Sequence, residues 1–202
     1  GTPAEGAYVH YPFEDLLGVL ALESRRQQCL IVGEDLGTVE PGVRRRLAAA
    51  SILSTRLALF ERRPPARWPR NALGAVTTHD LPTVTGILTR ADLEDQERAG
   101  LVPDARGLAR LRAALERSAP IDGLDPAAAV LAIHRALAGA PCAMTAATLE
   151  DALLVGERPN VPGTTAEQRP NWSLALPLPL EALLEDRRLG RLARAMRRRP
   201  GA

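Results

Sequence analysis

Acidic side chains stand at the ends of four apolar stretches of strand length: Glu34, Glu61, Asp80 and Glu150. Carboxylates that converge on one sugar unit suit glycoside chemistry. One of them acts as a general acid on the leaving oxygen, and others stabilise or trap an oxocarbenium-like centre. Glu34 is the first candidate for the acid. His79, which precedes Asp80, can donate a hydrogen bond to a sugar hydroxyl.

The elements that must position these residues are predicted to be parallel strands. The apolar runs predict strands at residues 28–34, 54–60, 73–78 and 143–149. Helical patterns separate them, and this order favours a parallel α/β fold. In α/β barrels the carboxyl ends of the strands carry the chemistry. All four acids fall at such ends by this prediction.

The helices are predicted from apolar residues that recur at helical spacing. Pro12 opens the first helix, and a second runs from Pro41 to about Ala50. Residues 91–140 are predicted to be mostly helical, with breaks at Pro103, Pro120 and Gly123, and a last helix covers about 180–199. These stripes of apolar residues are typical of core-facing helices.

Glu34 and Asp80 are predicted on strands that one further strand separates. Neighbouring strands lie about 4.8 Å apart, so two steps around a curved sheet can bring both side chains to one sugar. Spacing alone leaves another interpretation open. Asp and Glu favour helix N-termini, so these acids could simply cap the helices that follow them.

The composition excludes several classes of protein. The 202 residues carry a formal net charge of +2, and every basic residue apart from histidine is arginine. There is no secretory leader pattern and no apolar run of membrane length, so a cytoplasmic protein without a membrane partner is expected. Two cysteines make no disulfide framework, and Cys29 is expected to be a buried free thiol at the start of a strand.

Metal and nucleic-acid sites are not predicted. The three histidines and two cysteines lack the spacing of metal ligands, so we expect neither a metal nor a cofactor. The arginine-rich C-terminal stretch, residues 187–199, could touch nucleic acid, but such a run is more typical of the solvated face of an amphipathic helix. Aromatic residues are only 3% of the chain, which further disfavours stacking on bases, and no nucleic-acid partner is expected.

Two motifs resemble those of the 4-alpha-glucanotransferases, the amylomaltase or disproportionating enzyme family. They are Val-Gly-Glu-Asp-Leu-Gly-Thr at 32–38 and Thr-Thr-His-Asp-Leu-Pro-Thr at 77–83. Three further stretches resemble the same family in the same order. They are Tyr-Val-His-Tyr-Pro at 8–12, Leu-Glu-Asp at 149–151, and Asn-Val-Pro-Gly-Thr at 160–164 followed by Pro-Asn-Trp at 170–172. Five short motifs in order are specific, and they favour the catalytic interpretation over simple helix capping.

The resemblance implies a retaining transfer of alpha-1,4-glucan segments to glucose or glucan acceptors, with maltooligosaccharides as substrates. By motif match, Glu34 is the general acid/base and Asp80 is the transition-state stabiliser. His79 binds the sugar at the cleavage site, and Asn160 lines the site. The family usually carries Arg where His10 stands. A non-catalytic glucan-binding or interaction module is the alternative from another functional class.

The resemblance also implies that a residue is missing. The family's nucleophile is an Asp in an Arg-x-Asp stretch, on the strand that would precede this chain. The expected fold is therefore the C-terminal half of a (β/α)8 TIM barrel with extra helices, and residues 1–202 are expected to form a partial catalytic barrel domain without its upstream half. Such a half-barrel leaves open sheet edges, so we expect the isolated chain to be inactive and poorly stable.

Overall fold

The computed structural model describes residues 5–7 and 9–197. The chain divides into two compact units, Gly1–Ser54 and Thr55–Ala202. Tyr8, in the 8–12 motif, and residues 198–199, at the end of the last predicted helix, lie outside the described residues.

The first unit pairs two parallel strand segments and carries two helices. Helix α1 (Phe13–Gln27) precedes strand β1 (Val32–Gly33), and helix α2 (Val43–Ala49) leads into strand β2 (Leu53–Leu57). Val32 pairs with Leu53 and Gly33 with Ser54 in parallel register. Arg46 of α2 lies over the ring of Phe13, 5.2 Å from its centroid, and joins the two helices.

The second unit contains the end of β2, strands β3 (Ala72–Ala75) and β4 (Met144–Thr145), and most of the helices. The strand order is β2-β3-β4, and β3 and β4 are parallel with Leu73 opposite Met144. The helices of this unit are α3 (Val84–Thr89), α4 (Ala91–Arg98), α5 (Ala105–Ser118), α6 (Pro126–Ala138), α7 (Leu149–Leu153), α8 (Leu180–Glu185) and α9 (Arg187–Ala195).

Helix α6 lies at the centre of the hydrophobic core of this unit. Its buried face contributes Val130, Ile133 and Leu137 at helical spacing. These side chains belong to one cluster with residues of β3, α3 and α5, including Ala72 and Leu115. The core therefore lies behind the strand ends and fixes the helices that follow them.

The prediction of a parallel α/β fold is confirmed, but the strands are shorter than expected. The stretch 143–149 was expected to be one strand, and only Met144–Thr145 pairs. Leu149 instead begins α7, because the Thr148 side chain accepts a hydrogen bond from the Asp151 N–H and caps that helix. Glu150 therefore lies in the first turn of a helix rather than directly at a strand end.

Other differences have similar local causes. Cys29 is exposed, and the expectation of a buried thiol was wrong, because β1 begins only at Val32; the buried cysteine is Cys142. The single helix expected over 180–199 is two, since the Asp186 side chain caps a new helix through the Arg188 N–H. Helix α3 was not predicted. In the described parts of the chain, no helix is long and apolar enough to cross a membrane.

Candidate functional site

Asp80 follows β3, in the loop between Val76 and α3. The Asn160 side-chain amide donates to Asp80 Oδ1 over 2.7 Å. His79 Nε2 lies 3.4 Å from the same oxygen. The backbone N–H of Asn160 donates to the His79 carbonyl over 3.1 Å, so backbone and side chain of Asn160 hold both residues.

Three of the four predicted site residues therefore meet in the second unit. His79, Asp80 and Asn160 form one group that is hydrogen-bonded through Asn160, although 80 positions separate Asp80 from Asn160. Glu34 belongs to the first unit, where it directly follows β1 and is exposed. That Glu34 and Asp80 converge on one sugar stays a prediction.

Glu34 and its neighbour Asp35 differ sharply in environment. Asp35 is buried, and its Oδ2 accepts hydrogen bonds from Arg44 Nε at 2.8 Å and from the Ser54 hydroxyl at 2.6 Å. Arg44 also donates to the Asp35 carbonyl at 2.6 Å. Glu34 has no hydrogen-bond or ion-pair partner among the described residues. Asp35 thus holds the strand end, and the Glu34 carboxylate is free to reach a ligand.

The remaining strand-end acid, Glu61, has a structural partner. Its carboxylate lies 3.3 Å from Arg56 of β2, and the two side chains are about a quarter exposed. This ion pair links Glu61, in the segment that follows β2, to Arg56 within β2. Glu61 is therefore engaged in its own strand, unlike Asp80, which is held by a distant loop.

A buried arginine supports the Asp80 loop from behind. Arg158 donates through one terminal nitrogen to the Asp80 carbonyl at 2.9 Å and through the other to Asp92 Oδ2 at 3.0 Å. Its Nε lies 2.9 Å from Asp92 Oδ1, so guanidinium and carboxylate face each other side by side. Asp92 stands in the first turn of α4, where an acid is favoured.

A second arginine, Arg169, fixes the far end of the loop that carries Asn160. Its guanidinium lies 2.8 Å from Asp95, one turn along α4 from Asp92, and donates to Asn171 Oδ1 at 2.9 Å. Asn171 Oδ1 also accepts from the Val161 N–H at 3.1 Å. Two buried acids on one face of α4 therefore anchor both ends of the segment 158–171.

An aromatic side chain completes the group. The Trp172 ring lies 4.7 Å from the His79 ring, centroid to centroid, at an interplanar angle of 51°. The backbone N–H of Trp172 donates to the Pro159 carbonyl at 3.0 Å. The same segment thus places Asn160 against Asp80 and Trp172 against His79.

Below the site, a buried carboxyl secures the start of α3. Asp151 Oδ1 accepts the Val84 N–H at 2.9 Å, and Asp151 Oδ2 lies 3.8 Å from His134 Nε2, with both side chains fully buried. Burial raises the pKa of Asp151 above its ordinary value, and the charge on His134 opposes that rise. His134 Nδ1 donates to the Val130 carbonyl at 2.8 Å, which leaves Nε2 as the ring nitrogen that faces Asp151.

Sequence reasoning missed the supports of this site. Arg158, Asp92 and Arg169 belong to no periodic pattern, and the acids stand 66 and 74 positions from their arginines. The available signal was weak: both arginines directly precede a proline, and the two acids are three positions apart on one helix. Among the described residues, no cluster of three or more His, Cys, Asp or Glu side chains could hold a metal ion.

Comparison with known proteins identifies close similarity over most of the chain. Residues 1–180 match the profile of the family described as 4-alpha-glucanotransferase. The 4-alpha-glucanotransferase of Mycobacterium tuberculosis strain H37Rv is 37% identical over 225 residues, covering 96% of this chain and 31% of that protein. That of Haemophilus influenzae is 42% identical over 106 residues, covering 50% of this chain and 15% of that protein.

The structural comparison agrees. The crystal structure of amylomaltase from Corynebacterium glutamicum superimposes with a TM-score of 0.83 and 30% sequence identity, covering 98% of this chain and 33% of that one. The chain therefore spans about a third of the length of the mycobacterial relative and of the amylomaltase.

Proposed function

Because this chain belongs to the 4-alpha-glucanotransferase family, we propose that it supplies part of the catalytic domain of an enzyme that transfers alpha-1,4-glucan segments. The donor is a maltooligosaccharide or longer alpha-1,4-glucan, and the acceptor is glucose or another glucan. The reaction retains the anomeric configuration. We propose that this chain folds as the C-terminal half of a (β/α)8 barrel, and its structural similarity to amylomaltase supports this.

The proposed chemistry is a double displacement. In the first step the glycosidic C–O bond breaks, an upstream Asp carboxylate bonds to the anomeric carbon, and Glu34 gives its proton to the leaving oxygen. In the second step Glu34 takes the proton of the acceptor hydroxyl, whose oxygen bonds to the anomeric carbon as the carboxylate leaves. Asp80 stabilises the positively charged sugar between these states, and His79 and Asn160 bind its hydroxyls.

The hydrogen bond from the Asn160 amide to Asp80 Oδ1 is the observation that carries the proposal. It joins two of the five motifs and turns one carboxylate oxygen toward a fixed donor. A stabilising carboxylate must be held in place before the charge develops, because reorientation during the reaction would cost free energy. Asn160 and Arg158 together restrain Asp80 in this way, one through its carboxylate and the other through its backbone carbonyl.

The test uses the full gene product, meaning the whole polypeptide encoded by the reading frame that contains this chain. Maltotriose is incubated with it, and glucose release and chain elongation are measured. We expect Glu34→Gln to lower turnover by at least about a thousandfold while maltoheptaose binding is largely kept. The matched control is Glu40→Gln, which neutralises an exposed acid of the same unit. A Glu34→Gln enzyme with near-normal turnover would remove Glu34 from the mechanism.

A second assay tests the expected need for the upstream nucleophile. The 202-residue chain by itself is given maltotriose under the same conditions. We expect no glucose release, since the chain contributes only Glu34 and Asp80 of the three acids that the proposed reaction uses. Robust release by the chain alone would contradict that expectation.

The proposed location is the cytoplasm, which cell fractionation with an antibody to the chain can check.

A further inference from the structure

The two tryptophans of the chain have opposite environments. Trp68 is 4% exposed in the core of the second unit, and its indole N–H donates to the Arg63 carbonyl at 2.9 Å. Trp172 is 65% exposed, although it belongs to the same unit. A single exposed apolar side chain is common in proteins, so exposure alone carries no conclusion. Two further observations distinguish Trp172.

The first is its backbone conformation. Trp172 has φ +62°, in the left-handed region that bulky residues rarely adopt. The strain is imposed from outside, because the Trp172 N–H is bonded to the Pro159 carbonyl and the preceding Asn171 is locked by Arg169 and the Val161 N–H. Strain that neighbouring contacts enforce is found most often at binding and catalytic sites.

The second observation is the direction in which the strained residue holds its ring. The indole lies against the half-exposed His79 imidazole, with 4.7 Å between the ring centroids, and His79 Nε2 lies 3.4 Å from Asp80 Oδ1. An apolar aromatic surface and a polar corner made by Asp80 and Asn160 therefore stand side by side, both open to solvent.

We propose that Trp172 is the stacking wall of a glucosyl subsite beside Asp80. A pyranose ring has the matching chemistry, because its axial C–H bonds present a weakly positive apolar face and its hydroxyls lie around the rim. The C–H face packs on the electron-rich face of the indole, and the rim hydroxyls reach His79, Asp80 and Asn160. Only the identity of the sugar as an alpha-glucan rests on the proposed function.

The binding test uses the full gene product labelled with 5-fluorotryptophan and followed by ¹⁹F NMR. The Trp172 resonance is assigned as the one that Trp172→Phe removes. Titration with maltoheptaose is expected to shift that resonance and to leave the Trp68 resonance in place. The titration is repeated in Glu34→Gln, so that it needs no turnover. A saturating titration that leaves the Trp172 resonance unmoved would overturn the proposal.

Kinetics give an independent readout. Trp172→Gly removes the ring and suits the positive φ, so the backbone can keep its conformation. We expect the KM for maltotriose to rise about three- to tenfold, with Trp172→Tyr restoring most of the loss. The control, Leu184→Ala, trims another exposed apolar side chain of the same unit and should leave KM unchanged.

The outcomes separate this inference from the proposed function. A product without transferase activity whose Trp172 resonance still responds to maltoheptaose keeps the subsite and discards the proposed function. Normal transfer by Trp172→Gly, with an unchanged KM and equal thermal stability, discards the subsite and keeps the function. That last result would assign Trp172 to covering His79 alone.

Discussion

Two strand ends of this chain each carry two adjacent titratable residues, and the two pairs are held in opposite ways. After β1, the exposed Glu34 is followed by the buried Asp35, whose side-chain partners Arg44 and Ser54 are 9 and 19 positions away. After β3, the half-buried Asp80 is itself the restrained residue, and its partners Arg158 and Asn160 stand 78 and 80 positions later.

The difference matches the two proposed roles. A general acid/base must deliver and recover a proton, and a free carboxylate on a firmly held strand end can follow the oxygen that it serves. A transition-state stabiliser acts by being in place before the charge appears. The local support at Asp35 leaves Glu34 free, whereas the long-range support at Asp80 fixes the acting carboxylate itself.

The largest effects are expected when Asp80 and Asp35 are each replaced by Asn. Asp80→Asn should lower the kcat of the full gene product at least about a thousandfold with little change in unfolding midpoint, because it removes the stabilising charge and keeps the volume. Asp35→Asn should change kcat little. It should lower the free energy of unfolding by about 2 kcal/mol, because it weakens the bonds to Arg44 and Ser54. Steady-state kinetics and urea unfolding measure the two. Equal losses of kcat in the two variants would contradict the difference in role between Asp80 and Asp35.

A smaller effect is expected from the arginine behind Asp80. Arg158→Gln should lower kcat about ten- to a hundredfold and change KM little, since it lets the Asp80 loop shift while the sugar contacts remain. Lys in place of Arg158 should not rescue, because it lacks the fork that faces Asp92. Arg112→Gln is the control, because its ion pair with Glu116 joins two half-exposed side chains of α5. A pure loss of thermal stability at normal kcat would argue against positioning.

Two glycines compare the packing of the units. A Cβ on Gly86, in the first turn of α3, would overlap the backbone oxygen of Gly156, at the entry to the loop that carries Asn160. Gly86→Ala should therefore cost roughly 2 kcal/mol of unfolding free energy. Gly18→Ala in α1 meets no atom within 4 Å and should stabilise by up to about 1 kcal/mol through helix propensity. Chemical unfolding measures both changes, and a Gly86→Ala protein as stable as its parent would contradict the predicted overlap.

The smallest effect concerns pH. The pKa of Asp151 is raised by burial, so the folded state holds this proton more tightly than the unfolded state. Its contribution to stability is therefore present below about pH 4 and is lost as pH rises through the folded pKa. Asp151→Asn keeps an oxygen for the Val84 N–H without a buried charge, and it should add roughly 1 kcal/mol at pH 8 and flatten this slope.

Asp186 supplies the opposite sign as a control. Its hydrogen bonds and ion pair with Arg188 lower the pKa of this half-buried carboxyl to about 2. The stability that it gives is present above pH 4 and is lost as pH falls toward 2. In thermal melts between pH 2 and 8, Asp186→Asn should therefore have a lower Tm than the parent protein at neutral pH. The two Tm values should converge at low pH. Convergence of Asp151→Asn at high pH instead would contradict the burial argument.

Sequence patterns were sufficient where structure is local. Apolar spacing predicted α1, α5 and α6, and strand-end acids pointed to Glu34 and Asp80. Helix α3 was missed because Val-Thr-Gly-Ile-Leu-Thr favours no helix, and the Thr83 cap together with burial of its first residues overrides that propensity. The pairing of Arg158 with Asp92 was missed because it forms across 66 positions that show no common pattern.

The loop between Asn160 and Trp172 is closed upon itself by one side chain. Asn171 accepts the Val161 N–H and donates to the Thr164 hydroxyl at 2.7 Å, so the two ends meet at a single amide. The exposed stretch 165–168 forms the tip of that loop, between Thr164 and the buried Arg169. Insertions or fused peptides there would lengthen the exposed tip, while the bonds of Asn171 to Val161 and Thr164 hold the two ends of the loop together. This makes residues 165–168 the place where natural variation or engineering could reshape access to the site while the chemistry stays intact.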